Sequence, residues 1–314
     1  MLELMARLVT RDSSFSRFGQ RVASGIETGD TAFDACLVED PELFWRLLPD
    51  RSLPREPGRH FFGLISNHDG LRGPDVGERR DGVTGILVLG DSCAFGFGLQ
   101  ASEAWPALLE ERLHAAGLAA EVLNAGVPGY ASSQGVVLAR RLLPRHRPHV
   151  VLAAFGWNDS SIWDGLTDAH YLAASSQRAT DAAALLEHSR AFVLIRKLAL
   201  TLRRALRGRE ALQPRVPPAE FSANLAAIAD ECRRAGAGLL LVAWPFRDQV
   251  ADPSRPATEY QQRTLHGGVP AIDLLAAFRE HGSAASFLDT GHATAAGAGL
   301  AADTIAQALL SARR

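Results

Sequence analysis

Residues 86–98 read ILVLGDSCAFGFG, an unbroken apolar run that leads into Gly90-Asp91-Ser92 and then into a glycine-rich turn. Such a run is typical of a strand that is covered on both faces of a parallel sheet. A serine between that strand and a following helix lies where α/β proteins bind substrates, and its backbone N–H points toward the bound group. Ser92 is therefore a candidate nucleophile, although Ser92 taken alone fits a simple helix cap better.

Short apolar runs elsewhere in the chain alternate with helical patterns. The predicted strands are Gly85–Leu89, Glu121–Leu123, His149–Phe155, Gly238–Ala243 and Pro270–Ile272. The predicted helices are Glu103–Ala116, Ser132–Leu143, Pro217–Arg234 and Thr294–Leu310. This alternation predicts an α/β fold with a parallel sheet, in which ligands bind beyond the carboxyl ends of the strands.

Two regions depart from the alternation. Residues 1–83 are rich in turn formers and are interpreted as an N-terminal extension packed on a main domain over residues 84–314. Residues 160–217 form a long insertion whose centre, Ala191–Arg209, predicts a basic amphipathic helix. An ordinary surface helix is the favoured interpretation, followed by contact with an acidic substrate or a carrier protein, and an anionic membrane is a third alternative.

Composition excludes several classes of protein. The 314-residue chain is 47% hydrophobic and 22% charged, with a net charge of −2, so it lacks the basic surplus of nucleic-acid-binding proteins. Three scattered cysteines indicate a reducing compartment, and we expect a cytoplasmic protein without a signal peptide or transmembrane segment. We also expect no metal and no cofactor. The ten histidines form no zinc motif, and the glycines match neither a phosphate loop nor a dinucleotide fingerprint.

A second candidate motif, Asp289-Thr-Gly-His292, lies near the end of the chain. A serine hydroxyl is a poor nucleophile at neutral pH and needs a base within hydrogen-bond reach. His292 could accept the proton, and Asp289 could fix its tautomer and stabilise the imidazolium. Taken alone, this motif also fits a surface loop in which Asp289 caps the following helix.

Two further segments follow predicted strands and could stabilise an oxyanion. They read NAGVPGY at residues 124–130 and FGWND at residues 155–159. A backbone N–H at Gly129 and the side-chain amide of Asn158 are suitable preorganised donors. The pair Asn158-Asp159 also fits an ordinary turn, in which both residue types are common.

Taken together and in order, these four blocks resemble those of the SGNH (GDSL) hydrolase family over residues 84–312. The resemblance implies a flavodoxin-like three-layer α/β/α sandwich with a five-stranded parallel sheet. It implies Ser92 as nucleophile, His292 as general base and then acid, and Asp289 as the residue that orients His292. The backbone amides of Ser92 and Gly129 and the side chain of Asn158 would form the oxyanion hole.

The resemblance leaves the substrate open. Asp91, Trp157 and Trp163 are candidate substrate contacts, and Cys93 receives no catalytic role. Arg72 could reach the cleft, but a structural salt bridge is the favoured interpretation. The leading hypothesis is hydrolysis of a small-molecule or carrier-linked oxygen ester through an acyl-enzyme. An acyltransferase that uses the same acyl-enzyme is the alternative. A non-catalytic binding protein on this scaffold is a weaker third hypothesis.

Overall fold

The computed structural model describes residues 36–53, 65–76, 81–162, 167–177, 202 and 213–312. The strands are β1 (Leu37–Asp40), β2 (Phe44–Leu47), β3 (Arg51–Ser52), β4 (Ile65–Ser66), β5 (Thr84–Gly90), β6 (Ala120–Gly126), β7 (Val150–Ala154), β8 (Gly238–Ala243) and β9 (Ala271–Asp273). The α-helices are α1 (Ser92–Phe95), α2 (Trp105–Ala115), α3 (Ser132–His146), α4 (Trp157–Ser160), α5 (Asp168–Gln177), α6 (Pro218–Ala235), α7 (Arg247–Ala251), α8 (Glu259–His266), α9 (Leu274–His281) and α10 (Ala295–Ser311). Short 3₁₀ turns lie at Ala101–Glu103 and Ala284–Ser286.

Five parallel strands form the central sheet in the order β6-β5-β7-β8-β9. This is the flavodoxin-like order, and the chain changes direction across the sheet between β5 and β7. Gly90 at the end of β5 pairs with Gly126 of β6 and with Ala154 of β7. The loops that follow β5 and β7 therefore flank the crevice where ligands bind in such folds.

Alternating residues of the central strands bury both faces of the sheet. Ile86 and Val88 of β5 belong to one core cluster with side chains of α2, α9 and α10. Leu87 and Leu89 are fully buried and point to the opposite face, since successive strand residues alternate. Helices α3 and α6 pack together, as do α2 and α10. The predicted three-layer α/β/α architecture with a five-stranded parallel sheet is confirmed.

The observed elements differ from the predicted ones by no more than three residues at either end. Strand β6 runs through Asn124 to Gly126, beyond the predicted Glu121–Leu123, and α3 continues to His146 although Pro144 lies within it. Helices α7, α8 and α9 were not anticipated. They are short, at five to eight residues, so their periodic patterns are weak.

By internal contacts, the described parts of the chain fall into two units. One comprises Met1–Arg46 with Ser160–Pro217, and the other comprises Leu47–Asp159 with Pro218–Arg314. The second unit contains the central sheet and the residues of all four sequence blocks. The predicted domain division at residues 83 and 84 stays a prediction, and the predicted basic helix Ala191–Arg209 lies outside the described residues, apart from Leu202.

The first unit contains a fully buried ion pair. Arg215 donates from Nε to Asp168 Oδ1 and from Nη2 to Asp168 Oδ2, at 2.9 Å in both cases. Both side chains are completely shielded from solvent, and the N–H of Asp168 also donates to the carbonyl of Arg215. This bidentate geometry ties the first turn of α5 to the far end of the insertion.

Among the described residues, no helix combines the length and the apolar character that a membrane span requires.

Candidate active site

The nucleophile candidate stands at the junction between β5 and α1. Asp91 is the N-cap of α1, because its Oδ1 accepts a hydrogen bond from the N–H of Cys93 at 2.8 Å. Ser92 is the first helical residue, so its hydroxyl is not occupied as a cap. Only glycine fits at position 90, since a Cβ there would lie 2.6 Å from the Cβ of Ala94. The tight packing at Gly90 brings α1 close against the end of β5.

Asp289, His292 and Ser92 form a continuous chain of hydrogen bonds. His292 Nε2 lies 2.8 Å from Ser92 Oγ, and His292 Nδ1 lies 2.6 Å from Asp289 Oδ2. This pattern assigns the ring proton to Nδ1 and leaves Nε2 to accept the hydroxyl proton. Residues 200 positions apart in the sequence are thus aligned as nucleophile and base.

Asp289 is held by its own loop as well as by the histidine. Its Oδ1 accepts hydrogen bonds from the backbone N–H groups of Gly291 at 2.9 Å and His292 at 2.8 Å. Burial alone would raise the pKa of Asp289, but the hydrogen bonds from His292 and Gly291 outweigh it and hold this pKa well below its usual range. Asp289 is therefore an anion throughout the neutral range.

The loop that carries Asp289 and His292 is held by the loop after β8. The indole N–H of Trp244 donates to the carbonyl of Gly291 at 2.8 Å, and the N–H of Arg247 donates to the carbonyl of Thr290 at 2.9 Å. The thiol of Cys93 reaches the carbonyl of Gly291 at 3.5 Å. Burial raises the pKa of this thiol well above its usual value, which keeps it protonated and unreactive.

Asn158 connects the ends of the neighbouring strands. It lies in α4, directly after β7, and its Nδ2 donates to the carbonyl of Tyr130 at 3.0 Å and lies 3.4 Å from Asp91 Oδ2. Gly129 precedes Tyr130 in the loop after β6, in a turn closed by the N–H of Tyr130 and the carbonyl of Val127. The structure thus gathers Ser92, Gly129 and Asn158 at one edge of the sheet.

Asp159 has a structural role that the sequence did not suggest. It is fully buried, and its Oδ1 accepts hydrogen bonds from the N–H and the hydroxyl of Ser132, while its Oδ2 accepts from the N–H of Gly156 at 3.0 Å. These bonds tie the turn after β7 to the start of α3. They fix the backbone that presents Asn158.

A narrow pocket lies next to Asp91 and Cys93, the sequence neighbours of the nucleophile candidate. Its walls include Asp91, Trp157, Phe246 and Tyr260. The rings of Trp157 and Phe246 meet edge to face at 4.7 Å. Burial raises the pKa of Asp91 to about 6, although the N–H of Cys93 and the charge of His292 act in the opposite direction. Of the candidate substrate contacts, Asp91 and Trp157 line this pocket, and Trp163 lies outside the described residues.

Sequence reasoning missed several residues of the site. Phe97 stacks on His292, Trp244 holds the histidine loop, and Phe246 and Tyr260 line the pocket. Their roles depend on contacts between distant segments, and no local motif marks them. Among the described residues, no group of three or more His, Cys, Asp or Glu side chains is arranged to hold a metal ion.

Comparison with known proteins identifies the family of this chain. The family model for the GDSL-like lipase/acylhydrolase family matches residues 88–300. The thioesterase 1/protease 1/lysophospholipase L1 of Escherichia coli is 40% identical over 74 residues, which are 24% of this chain and 34% of that protein. Esterase TesA of Pseudomonas aeruginosa is 38% identical over 74 residues, 24% of this chain and 37% of that protein. The match therefore spans about a third of the length of these curated relatives.

Solved structures of lipases, acylhydrolases and esterases are similar to this chain at low sequence identity. The lipase/acylhydrolase from Enterococcus faecalis is 20% identical with a TM-score of 0.46, covering 72% of this chain and 95% of that chain. The acetyl xylan esterase AlAXEase is 15% identical with a TM-score of 0.47, covering 71% and 98%. Because the family model covers more than half of the chain, the resemblance predicted from the four sequence blocks is confirmed. The chain belongs to the GDSL-like lipase/acylhydrolase family.

Proposed function

We propose that the chain is a serine hydrolase that cleaves oxygen esters through an acyl-enzyme intermediate. The observation that carries this proposal is the hydrogen-bond chain from Asp289 through His292 to Ser92, with heavy-atom distances of 2.6 and 2.8 Å. Both distances are within the range required for a base to remove a proton from a nucleophile. In this proposal the hydrolase domain spans residues 84–314, with an insertion at residues 160–217 and an extension at residues 1–83.

In the acylation step, Ser92 Oγ attacks the ester carbonyl while its proton passes to His292 Nε2. The imidazolium that forms keeps its hydrogen bond from Nδ1 to the Asp289 carboxylate, which is already ionised. His292 then protonates the departing alcohol oxygen, and the C–O bond breaks to leave the acyl group on Ser92. In deacylation a water molecule takes the place of the alcohol, and His292 serves again as base and then acid.

The negative charge on the carbonyl oxygen requires donors that are already in position. The N–H of Ser92 lies in the first turn of α1, where helical N–H groups have no intrahelical acceptor. The Asn158 amide is held by the carbonyl of Tyr130, and Gly129 lies next to Tyr130 in the same turn. We assign the N–H groups of Ser92 and Gly129 and the amide of Asn158 to the oxyanion hole.

The substrate we propose is a small-molecule or carrier-linked carboxylic ester. The aromatic residues Trp157, Phe246 and Tyr260 lie around a narrow pocket next to Asp91 and Cys93, the sequence neighbours of Ser92. The names of the relatives, which include a thioesterase, a lysophospholipase and esterases, agree with acyl transfer to water.

Replacement of Ser92 by alanine tests this proposal. With p-nitrophenyl acetate, Ser92→Ala should reduce kcat by about 10⁴-fold or more while the unfolding temperature stays close to that of the wild type. Ser311→Ala, at an exposed position near the end of α10, is the matched control and should keep full activity. Turnover by Ser92→Ala at the wild-type rate would reject the proposal.

Product analysis separates hydrolysis from acyl transfer to an alcohol. We expect release of free acid in the presence of glycerol as acceptor. Formation of the glycerol ester as the main product would assign a transferase that uses the same acyl-enzyme.

A further inference from the structure

Arg72 is a buried cation in the part of the chain that precedes the nucleophile. Its side chain lies in the unit of the central sheet, is 5% exposed, and has its guanidinium carbon 4.0 Å from the ring centroid of Phe95. Its Nη2 donates to the carbonyl of Leu99 at 2.7 Å. Among the described residues, no carboxylate lies within ion-pair distance of Arg72, so the salt bridge expected from the sequence is not found there.

The segment from Asn67 to Pro74 holds Arg72 in place. Asn67 Oδ1 accepts hydrogen bonds from the N–H groups of Asp69 and Leu71, and its Nδ2 donates to the carbonyl of Pro74. The N–H of Arg72 donates to the carbonyl of Asn124 on β6 at 2.9 Å. This compact loop is therefore fixed to the free edge of the central sheet, beside α1.

Among the described residues, the cation–π contact and the hydrogen bond of the Arg72 side chain are both to the segment that carries the nucleophile. Phe95 is the last residue of α1, and Leu99 closes the turn that follows it, with its N–H on the carbonyl of Gly96. The N–H groups of Gly96 and Phe97 both donate to the carbonyl of Ser92, at 3.1 and 3.0 Å. Gly96 and Gly98 have φ of 79° and 86°, a conformation that favours glycine.

This turn presents Phe97 to the catalytic base. The rings of Phe97 and His292 are stacked, with centroids 4.5 Å apart and planes 24° from parallel. The electron-rich face of an aromatic ring attracts a cation placed over it. In the proposed mechanism His292 becomes cationic only in the transition states and the intermediates that precede leaving-group departure. Stacking on Phe97 therefore stabilises the cationic form of the His292 ring. It also restricts the rotation of that ring.

We propose that Arg72 and Phe97 are positioning residues of the catalytic site, in which Arg72 holds the turn after α1 and the turn holds Phe97 against His292. This inference rests on the proposed function, because it requires His292 to act as base. It gives the segment Asn67–Pro74 a role in catalysis at a distance from the reacting atoms.

The other groups that face His292 are charged or polar, and their effects can be separated from that of Phe97. Asp289 accepts the Nδ1 hydrogen bond, Ser92 faces Nε2, and the carboxylate of Asp91 lies within electrostatic reach. The thiol of Cys93 is also buried. Because Phe97 carries no charge, its replacement leaves the charges of Asp289 and Asp91 in place.

The first test compares Phe97→Leu with Phe97→Tyr. Loss of the ring should lower kcat by about two- to fivefold with KM within about twofold, and should move the acidic limb of the kcat/KM profile to lower pH by about 0.3 to 0.7 units. Phe97→Tyr keeps the stacked face and should restore both properties. A Phe97→Leu variant with wild-type kcat and an unmoved pH profile would overturn the proposal, as would a change in KM alone.

The second test is a double-mutant cycle. Arg72→Met keeps an apolar stem against Phe95 but removes the hydrogen bond to Leu99, and it should lower kcat by about two- to fivefold. In the Phe97→Leu background, Arg72→Met should cause no further loss. An equal loss of kcat in both backgrounds would show that Arg72 affects kcat independently of Phe97 and would refute the link. Arg112→Met, at a half-exposed arginine paired with Asp303, is the control and should keep wild-type kcat.

These outcomes are distinct from failure of the proposed function. If Ser92→Ala is inactive while Phe97→Leu equals the wild type, the hydrolase stands and the positioning role fails. If Ser92→Ala keeps wild-type activity, the hydrolase fails, and the positioning role fails with it. If Arg72→Met does not fold, the comparison of Phe97→Leu with Phe97→Tyr decides the matter, because Phe97 is only half-buried.

Discussion

Replacement of Asp289 by asparagine should be more damaging than replacement by alanine. In the structure, Asp289 Oδ1 accepts from the N–H groups of Gly291 and His292, and Oδ2 accepts from His292 Nδ1. An asparagine must turn its carbonyl oxygen toward the two backbone donors, so its NH₂ group faces Nδ1. Two donors cannot share one hydrogen bond, so the imidazole must carry its proton on Nε2. That tautomer cannot accept the proton of Ser92.

The expected loss follows from this tautomer exchange. For Asp289→Asn we expect kcat to fall by about 10⁴-fold, or about 5.5 kcal/mol in activation free energy. In Asp289→Ala the tautomer is not forced, and water can reach Nδ1 because the carboxylate site is 53% exposed. We therefore expect a smaller loss for Asp289→Ala, about 10² to 10³-fold.

Steady-state hydrolysis of p-nitrophenyl acetate measures both losses, with unfolding temperatures recorded for each variant. Asp303→Asn is the matched control, because Asp303 lies on the surface of α10 and pairs with Arg112. An Asp289→Asn enzyme that keeps more than about a tenth of wild-type kcat would refute the reasoning. Asparagine that is better tolerated than alanine would refute it equally.

Three other predictions concern the oxyanion hole, pH and the buried ion pair. Asn158→Ala should lower kcat by about 10² to 10³-fold at nearly constant KM, and a loss below tenfold would remove Asn158 from the oxyanion hole. Burial raises the pKa of Asp91 to about 6, so the stability linked to its protonated form is present below about pH 4 and is lost as the pH rises through 6. In urea titrations Asp91→Asn should reduce the fall in unfolding free energy between pH 4 and 8 by up to about 3 kcal/mol, and an unchanged fall would contradict the assignment. Asp168→Ala should cost about 3 to 5 kcal/mol because it removes the carboxylate that accepts two hydrogen bonds from the buried Arg215 side chain. Cleavage by chymotrypsin within α5 should accelerate, and unchanged stability and cleavage would contradict this.

Much of the fold could be predicted because its signals are local. Each central strand is a short apolar run, and each run is followed by turn chemistry such as Gly90-Asp91-Ser92 or Gly156-Trp157-Asn158. Parallel strands end at the same edge of a sheet, so residues that follow them meet in space even when they are far apart in sequence. The positions of Ser92 and Asn158 after two such strands therefore predict that both residues lie at one edge of the sheet.

The rest of the site depends on contacts that no local pattern encodes. Trp244 directly follows the predicted strand Gly238–Ala243, and no local pattern indicates that its indole N–H donates to the carbonyl of Gly291, 47 positions away. Arg72 was expected to form a structural salt bridge, yet it lies on Phe95 and donates to the carbonyl of Leu99. The choice between cap and nucleophile for Ser92 also needed the structure, in which Asp91 takes the cap position.

The most direct measurement is peptide mapping by mass spectrometry after reaction with a fluorophosphonate, which forms a stable adduct with an activated serine. One adduct per chain, on Ser92, and loss of labelling in His292→Ala are the results expected from a serine nucleophile activated by His292. Labelling at Cys93 or at another serine would contradict the assignment of Ser92. So would an unlabelled enzyme that continues to hydrolyse p-nitrophenyl acetate.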